Sequence, residues 1–229
     1  MPVRRYDIQF LGGNGHVEEV HRIAPAIEAF ESTCAAFAHG TLLDGLDGPI
    51  AIEDLAPGMS LQTRDQGPLP ILWIGSITLV PQPAESPVPG ARLTRVTESS
   101  MGLGRPVRDL VLGPHARLLR RIAGCLPLFG TDEVFAPATA LADGSAVIEV
   151  APVSPVRVFH IGFHGQQIIS ANGLEVESFH PGRSDALRLT GKMAPMFLGL
   201  FPHLGSLSEF GPMHVPRLSS QEYQKLSAR

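Results

Sequence analysis

The stretch Ser32–Leu43, STCAAFAHGTLL, contains the change of period on which the fold turns. Ile27, Phe30, Cys34 and Phe37 recur at spacings of three and four, which predicts one buried face of a helix of about four turns. Pro25 suits the first turn of such a helix, and Gly40 after His39 suits its C-terminal cap. After Gly40 the apolar residues fall instead into short runs separated by turn formers. The same stretch carries Cys34, one of two cysteines, so its reading decides where a thiol stands. The helical spacing puts Cys34 on a buried stripe rather than at the start of a strand.

Outward from this point the chain reads as strands. On the N-terminal side, RRYDIQFLGG and GHVEEVHRI are two extended pieces around a Gly-Asn-Gly turn. On the other side, TLLDGLDGPIAIEDL has the Asp-Gly chemistry of a hairpin, and further strands follow through SANGLEVESF. Pro81, Pro83, Pro87 and Pro89 mark one loop. Beyond HPGRSD the composition shifts, and Met193, Met196, Phe197 and Leu200 predict a short apolar helix, with Pro195 early and Pro202 ending it. That patch is too short to span a bilayer and too apolar to leave in water, so it is expected to cover part of the β-domain.

Bulk composition narrows the function classes. A chain of 229 residues can bury a substantial core. With 44% hydrophobic and 17% charged residues, it needs a large core or a surface that meets a partner. A net charge of −4 offers no basic footprint, so no nucleic-acid partner is expected. Gly and Pro, 24 and 21 residues, favour short strands and tight loops over a helical bundle. Cys34 and Cys125 make neither a metal-site spacing nor a disulfide framework, leaving a single bridge between them as an alternative. The first twenty residues lack the apolar core of a signal peptide, and no run reaches the ~20 apolar residues of a membrane helix. A cytoplasmic chain without a membrane span is the expectation, with export by another signal left open.

Motifs for common chemistries are missing. There is no Gly-x-Ser-x-Gly elbow, no phosphate loop and no His-Glu-x-x-His. His160 and His164 lie four apart on an expected strand, hence on one face, but no carboxylate or cysteine joins them at ligand spacing. No metal and no cofactor are therefore expected, and a hydrolase built on these histidines has no nucleophile.

Five pieces in order carry more information: FAHGTLL, GPIAIEDLAPGMSLQT, LWIGS, VRDLVLGPHARLL and SANGLEVESFHPG. Together they resemble the hedgehog/intein (Hint) superfamily, and within it the bacterial Hint-domain proteins, over roughly Ala36 to Gly182. The resemblance implies an all-β horseshoe of bent hairpins at 36–182. Residues 1–35 precede it as short strands and a helix, and a helical or irregular tail at 183–229 follows. It also implies a lineage of self-processing, including protein splicing, in which a cysteine at the first residue attacks the carbonyl before it and histidines move the protons.

At the matching positions this chain differs. The nucleophile's place is Ala36, with Phe37, Gly40 and Thr41 matching around it. The histidine of the middle motif falls on Ala116, between matching Pro114 and Arg117, and the late histidine on Gln166, while His160 matches. Asn172 belongs to an Ala-Asn-Gly turn. Cys34, His115 and His160 remain as residual candidates. His115, one residue out of step, would face away if it sat on a strand. The resemblance thus implies a Hint-type domain that has lost its chemistry and serves as a binding or interaction module, with an unidentified protein partner. The alternative is residual autoproteolysis with Cys34 as nucleophile.

Overall fold

The computed structural model describes residues 2–82, 90–182, 187 and 189–227; Pro83, Pro87 and Pro89 of the proline loop lie outside them. The chain opens with a long hairpin, β1 (Val3–Leu11) and β2 (Val17–Pro25), paired in register from Val3 opposite Pro25 to Leu11 opposite Val17. A single helical turn, α1 (Glu28–Glu31), leads to β3 (Phe37–Ala38), β4 (Leu42–Asp44) and β5 (Pro49–Ala51). The strands β6 (Ser60–Thr63), β7 (Gly67–Pro70), β8 (Trp73–Leu79) and β9 (Leu93–Val96) come next. They are followed by β10 (Leu110–Leu112), β11 (Arg117–Arg121), the helical turn α2 (Leu126–Phe129) and β12 (Glu133–Pro137). Then come β13 (Val147–Val150), β14 (Val156–Gly162), β15 (Ile168–Ala171) and β16 (Leu174–Glu177). Two short helices, α3 (Met193–Leu198) and α4 (Ser220–Ser227), lie in the C-terminal part. The fold is all-β.

Two antiparallel sheets result. One runs β13-β9-β10-β3-β14-β8-β1-β2, and the other β12-β11-β16-β15-β4-β5, with β6 and β7 attached through β15. The N-terminal hairpin is therefore part of the first sheet, since β1 pairs with β8 from Asp7 opposite Ser76 to Phe10 opposite Trp73. Alternation along β1 buries Tyr6, Ile8 and Phe10 on one face. Between β15 and β16, Asn172 and Gly173 both take positive φ, +47° and +84°. That is the primed turn that an Asn-Gly pair prefers.

The helix expected over four turns forms only one. After Glu31 the chain tightens into three-residue turns, Thr33 N–H to Phe30 O and Cys34 N–H to Glu31 O. Ala36 N–H then donates to Phe159 O, and Phe37 pairs with Leu112 and Phe159 as a strand. Apolar spacing suited a helix, but sheet pairing with residues more than seventy positions away decided the backbone. Pro25 accordingly ends β2, and Gly40 is no helix cap. It makes the β3–β4 turn at φ +83°, its N–H bonded to Glu53 Oε2 at 2.8 Å.

Two main hydrophobic clusters fill the interior. One joins Phe37, Leu43, Leu61, Leu112, Ile161 and Val176. The other lies over the first sheet and unites both ends of the chain: Tyr6, Ile8 and Phe30 with Trp73, Phe179, Phe197, Leu200 and Phe201. Phe201 packs at a tilt with its ring 4.7 Å from that of Trp73, whose indole N–H donates to Leu200 O at 2.7 Å. No helix among the described residues is long and apolar enough to cross a membrane.

Candidate functional site

The start of β3 and the turn between β10 and β11 meet backbone to backbone. His115 N–H donates to Ala35 O at 3.0 Å, and Gly113 N–H to Ala36 O at 2.8 Å. A side chain at Gly113 would collide with the Ala35 carbonyl, so only glycine lets these segments approach. The Ala35–Ala36 peptide is thus held at both ends and fully buried. Ala36 and Ala116, 0% and 1% exposed, pack as methyl groups in the hydrophobic core.

His115 lies in the turn, not on a strand, so the strand-face argument does not apply to it. It lines the same cleft as Ala116. Burial pushes its imidazole below the ordinary histidine value, offset in part by Glu28 and Glu31. His160, on β14, is buried between Ser32 O, 3.2 Å from Nδ1, and Glu177 O, 3.5 Å from Nε2. Edge-on contacts with Phe37 and Phe179 enclose its ring. Desolvation lowers its pKa to about 3, so it is neutral at pH 7. A neutral ring has one N–H, which serves one of these carbonyls at a time. His164 does not share a face with His160: β14 ends at Gly162, and His164 is exposed beyond it.

Cys34 follows the helical turn rather than riding on a helix. Its sulfur lies 3.2 Å from Thr33 Oγ1 and against Gly75 of β8, where a Cβ would come within 2.6 Å of it. Burial pushes the thiol up to about 12. Cys34 and Cys125 are both buried and unbridged.

Gln166 is a structural clamp. Its Oε1 accepts from His214 N–H at 3.0 Å and Val215 N–H at 2.8 Å, while Nε2 donates to Glu177 and to Val215 O. The strap Phe210–Leu218 is also bonded to Gly165 and Phe135 through its backbone. Glu177, 3% exposed, holds Arg217 Nε at 2.8 Å and 3.0 Å from its two oxygens, and Arg217 Nη2 donates to His180 O at 2.6 Å. Arg117 Nε stands 3.7 Å from Glu177. Sequence reasoning missed this cluster. Its one local signal was a glutamate among the inward apolar residues of LEVESF.

Above these groups opens a cleft of about 1140 Å³. His115, Ala116 and His160 line it, as do Arg117, Glu177 and Arg217. Glu28 of α1, Ser32 just after it, and Met213 and Ser220 of the C-terminal segment also line it.

An all-β scaffold with residues 114–117 of one matched motif and residues 177 and 179–182 of another lining one cleft fits the class of hedgehog/intein-type domains. Residues 35–183 match the family described as Hint domain, and the chain belongs to it. Among solved structures, the chain is similar to a bacterial intein-like domain from Clostridium thermocellum, with 14% identity and a TM-score of 0.40. That likeness covers 63% of this chain and 99% of that one. Comparison with curated proteins finds no match.

Proposed function

We propose that the protein is a non-cleaving Hint domain whose former processing centre serves as a binding site. The observation that carries this reading is the state of the Ala35–Ala36 peptide. It is fully buried, its carbonyl is capped by His115 N–H, and the side chain that would attack it is a methyl group. Acyl transfer needs a nucleophile beside the carbonyl and a proton carrier in reach. Ala116 supplies neither, Gln166 is spent on the strap, and the neutral imidazole of His160 is turned to other carbonyls.

Cys34 does not rescue the chemistry in this reading. A thiolate is the reactive form, and a buried thiol pushed to about 12 stays protonated near neutrality. Packing of the segment ahead of Ala36 supports the same view. Tyr6, Ile8 and Phe30 are fully buried and β1 lies between β2 and β8, so a cut before Ala36 would leave the N-terminal piece in place. The experiment is denaturing mass spectrometry of the purified chain after prolonged incubation with dithiothreitol. An unchanged mass is expected, and a fragment ending at Thr33 or Ala35 would refute the reading.

A further inference from the structure

The cleft over the former processing centre is walled by segments outside the family match: Ile27 to Ser32 before it, and Phe197, Met213 and Ser220 after it. Its charge is unevenly placed. Glu177 is the single carboxylate in the buried cluster and is engaged by Arg217 through both oxygens. Arg117 brings a second guanidinium. Its Nη1 donates to Leu218 O at 3.0 Å, its Nε is beyond hydrogen-bond distance from Glu177, and Nη2 has no partner among the described residues. The imidazoles of His115, His160 and His180, held down by burial, add no counter-charge. Glu28, the other acid among the described lining residues, is exposed, and its charge is felt by Arg117 and His115 from the cleft's edge. A half-buried guanidinium with open donors beside apolar walls selects a planar anion on an apolar body.

We propose that this cleft binds a small amphipathic carboxylate, its head on Arg117 and its body along Ile27, Ala29 and Met213, apolar lining residues that keep exposed surface. The volume of about 1140 Å³ lies just above the usual range for small-molecule sites, roughly 300–1,000 Å³, so an extended ligand fits. The inference rests on the non-cleaving reading only in needing the site free of reaction. An acyl chain and a peptide's C-terminus share this head-group chemistry.

Calorimetric titration of the full chain with octanoate, and separately with N-acetyl-Leu-Leu, distinguishes the two sources. Octanamide and the peptide amide are the neutral controls. At least one acid is expected to bind saturably and at least about tenfold tighter than its amide, a difference of about 1.4 kcal/mol. Arg117→Gln should abolish that preference and Arg117→Lys retain part of it. Because Arg117 also holds Leu218, Ser220→Trp provides a second test: it blocks the cleft from an exposed position and should weaken binding about tenfold at unchanged Tm. Equal binding of acid and amide, no saturable binding by either acid, or full affinity in Arg117→Gln or Ser220→Trp would overturn the proposal. The mass of the titrated sample, read separately, reports on cleavage and so keeps failure of the two readings apart.

Discussion

Ala36 and Cys34 are two residues apart, yet their surroundings give them separate fates. Ala36 is fixed by backbone bonds to Gly113 and to Phe159 of β14, while Cys34 turns its sulfur toward Gly75 on β8. Moving the thiol to the reacting position would require repacking the turn between Phe30 and Ala36. Native Cys34 should therefore alkylate slowly at pH 7.5 and at an ordinary rate in urea, as counted by mass shift with iodoacetamide. Rapid native labelling would contradict its burial. Ala36→Cys alone should give no thiol-dependent cleavage, because catalytic groups that act as a unit fail as a unit and Ala116 and Gln166 remain. Ala36→Cys with Ala116→His should permit slow cleavage, measured by the same mass readout. The burial of Cys34 was legible from apolar spacing. Its backbone was not, because strand pairing with Phe159 is a contact no local pattern reports.

Among the elements, the strap is where the chain departs most from what its sequence announces. Gln166, Glu177 and Arg217 are separated by eleven and forty positions, and none carries a motif. Hairpins, by contrast, are local, and their Gly-Asn-Gly, Asp-Gly and Asn-Gly turns placed them correctly. The buried pair makes a quantitative prediction. Arg217→Ala leaves the buried Glu177 carboxylate with only Gln166 and the more distant Arg117, and should cost up to about 3–5 kcal/mol in urea unfolding. Adding Glu177→Gln should recover part of that loss. A fully additive double variant would show that the two side chains do not interact.

For the whole molecule, both chain ends close the second hydrophobic cluster. Phe201 is 1% exposed and touches Trp73, Phe179 and Phe197, so Phe201→Ala should cost about 3–5 kcal/mol. Ending the chain after Gly182 should give an insoluble or molten product. The apolar composition of the tail announced its burial, though not that Phe30 from the other end would be its partner at 5.7 Å. Acid should also unfold the protein. His160 has its folded pKa lowered to about 3 and His203 to about 4, against 6.5 as the ordinary value. The unfolded chain binds more protons in that interval, so stability is full above about pH 6.5 and falls as pH drops toward 3. Tm should decline across this window, and less steeply in His160→Gln. A flat profile would place His160 in contact with water.

On the proposed non-cleaving reading, the Ala35–Ala36 peptide bond of this Hint domain stays intact. Because an N-terminal piece would stay bound after cutting, native chromatography cannot read it; denaturing mass spectrometry can. After days at pH 7 to 8.5, with or without dithiothreitol, the single mass of the 229-residue chain is expected. Thiol-accelerated appearance of a fragment ending at Thr33 would contradict it and make Cys34 the working nucleophile.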